Sequence, residues 1–89
     1  MKIRLSSRAF HHLESIHSYI SKDKPDAAAN VIDRILNAIG QLGIHPQLGR
    51  VGRRKGTREL VQPPFVIVYR VLEETISIEA VLHGNQKYG

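Results

Sequence analysis

The pattern of apolar and polar residues changes from alternation to a helical spacing within the first ten positions. Ile3 and Leu5 alternate with cations, which predicts a short strand at residues 2–6. The next apolar residues recur three or four positions apart, as on one face of a helix: Ala9, Leu13, Ile16 and Ile20. Ser6 and Ser7 are suited to the N-cap of this first helix.

A second helical stripe follows a short break. We expect the first helix to end near Ser21, and the segment 23–26 to hold a proline suited to the first turn of the next helix. The apolar residues of that helix again share one face: Ala28, Val31, Ile32, Ile35, Ile39 and Leu42. We expect Gly40 and Gly43 to end it, and residues 43–56 to form a loop.

Three short strands then follow in close succession and predict an antiparallel meander. They span residues 57–62, 65–72 and 75–83, separated by turns too short for a crossover. Pairing around these turns predicts an apolar face that receives both helices: Leu60, Ile67, Tyr69, Val71, Ile76, Ile78, Ala80 and Leu82. The expected fold is therefore α+β with two layers, formed by an N-terminal strand, a helical hairpin and the meander.

The other face of the predicted sheet mixes valines with polar and charged residues: Thr57, Glu59, Val61, Val66, Val68, Arg70, Ser77, Glu79, Val81 and His83. No further predicted element is available to cover this face, so we expect it to bind a partner. The alternative is a solvated face on which Arg70 pairs with Glu79 or with Glu59. A register shift of one residue would exchange the two faces.

Composition narrows the classes of protein. The 89 residues suffice for one domain, and a composition of 42% hydrophobic and 24% charged residues is that of a folded chain. The absence of cysteine excludes thiol nucleophiles, disulfides and zinc–thiolate sites. Since the longest apolar run, Phe65–Tyr69, cannot span a membrane and no export signal precedes it, we expect a cytoplasmic protein without a membrane partner.

The formal net charge is +5, and the surplus is concentrated in one segment. Five cations fall within nine residues that contain no acid: Arg50, Arg53, Arg54, Lys55 and Arg58. Such a segment attracts phosphates or an acidic protein surface, and a solvated loop is the alternative.

Signatures of the common enzyme classes are missing from the sequence, which has no P-loop, GxGxxG, HExxH or GxSxG motif. We expect no cofactor and no metal, and we place His11, His12 and His17 on the surface. Metal-free RNA cleavage is the enzymatic alternative, because it needs only a base, an acid and cations for the phosphorane. Chemically suited side chains lie on adjacent strands and in the tail: Glu59, Arg70, His83, Lys87 and Tyr88.

Five short segments, taken together in their order and spacing, are informative about the family of the chain: PDAA at 25–28, PQLGR at 46–50, GTREL at 56–60, FVIVYRV at 65–71 and VLHG at 81–84. With them the chain resembles the RelE/ParE family of bacterial type II toxin–antitoxin toxins, and its ParE branch more closely. The resemblance implies the RelE/ParE-like two-layer fold and a toxin held inactive by an antitoxin wrapped across it. ParE-like members poison DNA gyrase, whereas RelE-like members cut mRNA in the ribosomal A site.

The resemblance also separates the two branches. RelE-like nucleases resemble one another in carrying cations at positions that here hold no cation: Thr57, Glu59, Val66 and Gln86. Because stabilising a phosphorane needs those charges, we expect a gyrase poison rather than a ribosome-dependent endonuclease. An arginine at the position of Arg70 is common in ParE-like sequences.

We therefore expect binding of the target or the antitoxin along the basic segment, the sheet face and the tail: Arg50, Arg53, Arg54, Lys55, Arg58, Glu59, Arg70, His83, Lys87 and Tyr88. The expected partners are DNA gyrase and a cognate antitoxin that covers part of the same basic surface. Operator DNA is expected as a partner only through the complex with the antitoxin.

Overall fold

A computed structural model describes residues 1–84, which form a five-stranded sheet and two helices. The elements are β1 (Lys2–Leu5), α1 (Ser7–Ser21), α2 (Pro25–Ile44), β2 (Arg50–Val51), β3 (Arg58–Gln62), β4 (Phe65–Val71) and β5 (Thr75–His83). The strand order is β1-β5-β4-β3-β2. β1 pairs with β5 in parallel, and all other pairs are antiparallel, so the sheet is mixed.

This architecture confirms the predicted α+β fold, with strand bounds of the meander that agree within one residue. Ser6 caps α1 as predicted, because its Oγ accepts a hydrogen bond from the Ala9 N–H at 3.0 Å. The same Oγ donates to the Glu79 carbonyl at 3.0 Å and so ties the start of α1 to β5. Both helical stripes pack against one sheet face, where the core lies: Ala9, Leu13, Ile35, Ile39, Leu42, Phe65, Ile67, Tyr69, Ile76, Ile78 and Val81. Within residues 1–84, no helix is long and apolar enough to cross a membrane.

The end of α2 differs from the prediction. The helix continues through Gly40 and Gly43 and ends only at Ile44. Gly43 has a packing role, because a Cβ there would lie 3.1 Å from the carbonyl oxygen of Met1 and 3.3 Å from Cδ1 of Ile3. The glycine therefore lets β1 approach the helix closely, rather than ending the helix.

A β-bulge in β5 shifts the register of the sheet. Val68 pairs with Ala80, but the next residue of β4, Tyr69, pairs with Ile78, which leaves Glu79 as an extra residue on β5. A bulge of this kind places two residues of one strand opposite one residue of the other. Strict alternation along β5 therefore fails after Glu79, and the predicted faces are wrong beyond that point.

The bulge exchanges the faces of the last β5 side chains. Val81, predicted for the exposed face, lies in the core between sheet and helices. Ala80 and Leu82, predicted for that core, belong instead to a second buried cluster. His83 pairs with Phe65, a core residue, and so lies on the helix side of the sheet rather than on the opposite face.

The face away from the helices is also less open than the sequence predicts. Val66 and Val68 are buried, although we predicted them in an exposed stripe. The chain between β2 and β3 folds back over this face, where Nη1 of Arg70 donates a hydrogen bond to the Lys55 carbonyl at 3.3 Å. Val71, predicted for the core, is exposed at the end of β4. On this face, the surface available to a partner therefore consists mainly of the charged residues near β2 and β3 and not of the valine stripe.

His12 is not the surface histidine that the sequence predicts. It is half-buried, and its Nδ1 accepts a hydrogen bond from the Val81 N–H at 3.1 Å, beyond the last pair between β1 and β5. Burial, together with the nearby charges of Arg8 and His11, lowers the pKa of His12 from its ordinary value of 6.5. The neutral ring is the form that the folded protein needs, because a proton on Nδ1 would remove the acceptor.

We expect the free energy of unfolding to fall as the pH is lowered below 6.5, where the unfolded chain takes up a proton at His12 that the folded chain resists. His12→Ala should lower stability by about 1 kcal/mol at neutral pH, since the Val81 N–H loses its acceptor. It should also flatten the pH dependence, whereas His17→Ala, at an exposed site on the same helix, should not. Urea unfolding at a series of pH values measures both effects. If the free energy of unfolding depends on pH equally in the wild type and in His12→Ala, this role of His12 is contradicted.

Candidate functional site

The basic segment forms a folded hairpin, which we call the basic hairpin (residues 50–59). β2 and β3 pair at its base, and the Gly52 N–H donates to the Thr57 carbonyl at 2.8 Å. At the tip, the Arg54 carbonyl accepts from both the N–H of Thr57 at 3.1 Å and its Oγ1 at 2.6 Å. Gly56 has a φ of +81°, which other residues rarely adopt. The prediction of a loop over residues 43–56 thus missed β2.

Glu59 lies at the base of this hairpin, where it pairs with Arg50, and is its only acid. One carboxylate oxygen accepts from Nη2 of Arg50 at 3.1 Å, and the other accepts from the backbone N–H and Nε of Arg53 at 2.9 and 3.1 Å. The Glu59 side chain is only 1% exposed. Burial raises the pKa of Glu59, but the hydrogen bonds from Arg53 and Arg50 outweigh it, so that the pKa is lower than 4.5. An ionised carboxylate therefore holds two guanidinium groups together.

The segment that enters the hairpin is anchored by Tyr69. The buried Tyr69 hydroxyl donates to the Pro46 carbonyl at 2.7 Å and accepts from the Gly49 N–H at 2.9 Å. Nη1 of Arg58 also donates to the Gly49 carbonyl, at 2.6 Å. Arg58 pairs with Tyr69 across the sheet and lies on the side opposite Glu59, so its bond helps to hold the entering segment against the helix side of the hairpin.

Arg70 connects the tip of the hairpin to the sheet. Its Nε forms an ion pair with Oε1 of Glu79 at 3.1 Å, which is one of the pairs that the sequence suggested. Ser77 donates to the other oxygen of Glu79 at 3.3 Å, and Arg70 also bonds the Lys55 carbonyl. The bulged position of Glu79 thus places its carboxylate where it can orient Arg70.

The residues suited to RNA cleavage do not converge. Glu59 and Arg70 share a sheet face, but each is engaged with its own charged partner. His83 lies on the other side, with its ring centroid 6.0 Å from that of Phe65 in an edge-to-face contact. No group of three or more His, Cys, Asp or Glu among residues 1–84 is arranged to hold a metal ion. Two predicted site residues lie outside the described residues: Lys87 and Tyr88.

Sequence reasoning missed an apolar groove between β1 and the two helices. Its volume is about 390 Å³, and its lining is mainly apolar: Leu5, Phe10, Leu13, Ile32 and Leu36, with Glu14, His17 and Ser18. Phe10 and Leu36 are 52% and 43% exposed. Both directly follow a core residue in the sequence, so each widens an apolar stripe beyond what the core buries. The extra apolar residue beside each helical stripe was the feature of the sequence that could have indicated the groove.

Comparison with known proteins gives consistent matches over nearly the whole chain. Residues 3–88 match the family model of the ParE toxin of the type II toxin–antitoxin system parDE. The chain is 44% identical over 89 residues to the Sinorhizobium fredii protein "Putative toxin Y4kP", covering 98% of this chain and 92% of that protein. It is 32% identical over 77 residues to "Toxin RelE2" of Caulobacter vibrioides, covering 86% and 88% of the two chains.

Two solved structures share the fold. A chain of the chromosomal ParDE toxin–antitoxin system from P. aeruginosa superposes with a TM-score of 0.85 at 22% identity, covering 93% of this chain and 95% of that one. A chain of the toxin–antitoxin complex RelBE2 from Mycobacterium tuberculosis gives a TM-score of 0.63 at 26% identity, with coverage of 92% and 95%.

Proposed function

The chain belongs to the ParE toxin family of type II toxin–antitoxin systems, and from this membership we propose that it binds and poisons DNA gyrase until a cognate antitoxin neutralises it. A poison of this kind binds the cleaved-DNA state of its target better than the resealed state. It thereby raises the population of the cleaved state without catalysing a reaction.

The burial of Glu59 is the observation that supports a binding toxin over a nuclease. A general base must come within hydrogen-bond distance of the substrate proton. The Glu59 side chain is 1% exposed, and its two oxygens already accept three hydrogen bonds from Arg50 and Arg53. The basic hairpin, in contrast, presents exposed guanidinium groups, which suit the binding of a large anionic partner.

Ribosome-dependent mRNA cleavage is the second candidate, because one relative is named a RelE toxin. In this function Arg70 would stabilise the phosphorane, and the acid for the leaving oxygen would have to come from a group other than His83, which lies on the opposite side of the sheet. Translating ribosomes incubated with the purified toxin would then yield cleaved mRNA, and Arg70→Ala would strongly reduce the cleavage. Intact mRNA at every toxin concentration would eliminate this candidate.

The apolar groove is the surface that we assign to the antitoxin. Type II toxins are bound and inhibited by an antitoxin protein. Burying exposed apolar side chains such as Phe10 and Leu36 beneath an apolar segment of that partner contributes favourably to the free energy of binding. Acidic residues of the same antitoxin can reach the basic hairpin as well. Operator DNA would be contacted through the antitoxin in that complex.

Rates of DNA and protein synthesis in cells after toxin induction separate the two candidate functions. We expect DNA synthesis to stop and chromosomes to fragment before protein synthesis declines, because a gyrase poison leaves broken DNA ahead of replication. Co-expression of the antitoxin should prevent both effects. A decline of protein synthesis that precedes any change in DNA synthesis would contradict gyrase as the target.

A further inference from the structure

The basic hairpin is ordered by its own contacts, which an ordinary solvated loop would lack. Five cations and one carboxylate give residues 50–59 a net charge of +4. The backbone is closed by hydrogen bonds at its base and tip, and Arg70 fastens the Lys55 carbonyl to the sheet. The charges are therefore presented on a fixed frame rather than on a mobile chain.

Glu59 arranges two of these charges before any ligand binds. Arg50 and Arg53 donate to different oxygens of the same carboxylate, yet their side chains stay 61% and 49% exposed. Each guanidinium uses one side-chain N–H in these bonds and carries five such donors in all. Two neighbouring guanidinium groups thus keep donors for a ligand. Because Glu59 already orders both side chains in the free protein, a ligand that binds them loses less side-chain entropy.

We propose that the basic hairpin is a phosphate-binding surface that contacts the DNA backbone, with Glu59 as the residue that positions Arg50 and Arg53. The choice of DNA rests on the proposed function, since a gyrase cleavage complex holds duplex DNA beside the bound toxin. Arginine forks match phosphate oxygens in shape and charge, and a chain of phosphates can engage several cations of one hairpin at once. Contacts of this kind carry no base specificity.

Glu59→Gln gives the sharpest test, because the net charge and the positioning role predict opposite results. The substitution removes one negative charge from a protein of net charge +5, so a merely electrostatic loop would bind DNA more tightly. A glutamine has one acceptor oxygen and an NH₂ group, so it cannot hold both arginines. We therefore expect the affinity for a short labelled duplex to fall about fivefold, as when one long side chain must be ordered on binding.

A charge-matched pair of double variants keeps the test decisive if Glu59→Gln fails to fold. Arg50→Gln with Lys55→Gln should weaken DNA binding about tenfold and reduce the slope of log affinity against log salt by about 2. Lys22→Gln with Lys24→Gln, which removes the same charge at the exposed turn between the helices, should change neither quantity appreciably. Fluorescence anisotropy at about 50 to 200 mM salt measures both.

Several results would overturn the proposal. These are tighter binding by Glu59→Gln, equal losses in the two double variants, or binding of polyglutamate comparable to that of DNA, which would indicate an acidic protein as the partner instead. The outcome is separable from that for gyrase. A toxin that fails to poison gyrase but binds DNA through the hairpin refutes the proposed target alone. A toxin whose hairpin variants still poison gyrase fully refutes the phosphate site alone.

Discussion

Replacing Tyr69 with alanine is expected to lower the free energy of unfolding by about 4 kcal/mol, the range measured for the loss of a buried aromatic side chain. Tyr69 is fully buried at the centre of β4. Its removal leaves a cavity in the core, and it also leaves the Gly49 N–H and the Pro46 carbonyl without their partner. In a chain of this size that loss is a large part of the total stability.

Urea unfolding of three variants separates the two contributions. Tyr69→Phe keeps the ring and should cost about 1–3 kcal/mol, the penalty for two buried groups that lose a hydroxyl partner. Tyr19→Ala is the matched control, because Tyr19 is 77% exposed on α1 and its loss should change stability by less than about 0.5 kcal/mol. A cost of Tyr69→Phe no larger than that of Tyr19→Ala would contradict the role of the Tyr69 hydroxyl as an anchor of the hairpin.

Placing two carboxylates in the apolar groove is expected to weaken antitoxin binding strongly. The double variant Phe10→Asp with Leu36→Asp removes two exposed apolar side chains and would bury two charges beneath the antitoxin. We expect the dissociation constant of the complex to rise roughly 100-fold, which corresponds to about 2.7 kcal/mol. The folded toxin itself should lose about 2 kcal/mol of stability, because each side chain is about half buried, so circular dichroism is used to show that the variant is folded before binding is measured.

Tyr19→Asp provides the control for this experiment. It introduces one carboxylate on α1, as Phe10→Asp does, but lies outside the groove lining, so the affinity should change by less than about threefold. Isothermal titration of each variant with the antitoxin gives the comparison. If the groove variant binds as tightly as the wild type while Arg70→Ala does not, the antitoxin binds the basic face instead of the groove.

Much of the fold follows from local patterns. The helical stripes before residue 43 and the three strands of the meander are predicted correctly because each has enough apolar residues to define its period. β2 is only two residues long, so no period can identify it. β2 is a strand only because it pairs with β3, and that pairing is not encoded in the local sequence of residues 50 and 51.

The bulge at Glu79 could not be predicted for a similar reason. Any residue of β5 could be the extra one, and the choice is made by contacts from distant parts of the chain. Ser6 bonds the Glu79 carbonyl, while Arg70 bonds its carboxylate. The effect on the candidate site is large, because it moves His83 away from the face that carries Arg70.

The composition of the basic hairpin was visible in the sequence, but the role of Glu59 was not. Alternation placed Glu59 correctly on the face opposite the helices, where we expected a reactive or partner-binding carboxylate. Its burial comes from the hairpin folding over that face and from Arg53 donating to it twice. A charged residue on a strand gives no local indication that it will be enclosed by arginines.

Cleavage of supercoiled plasmid by purified gyrase is the measurement that tests the proposed function most directly. Toxin, gyrase, ATP and plasmid are incubated, the proteins are digested, and linear DNA is quantified. We predict that linear plasmid accumulates with increasing toxin and that antitoxin suppresses it when added first. Fully intact plasmid, with supercoiling at its normal rate in the presence of excess toxin, would contradict gyrase as the target.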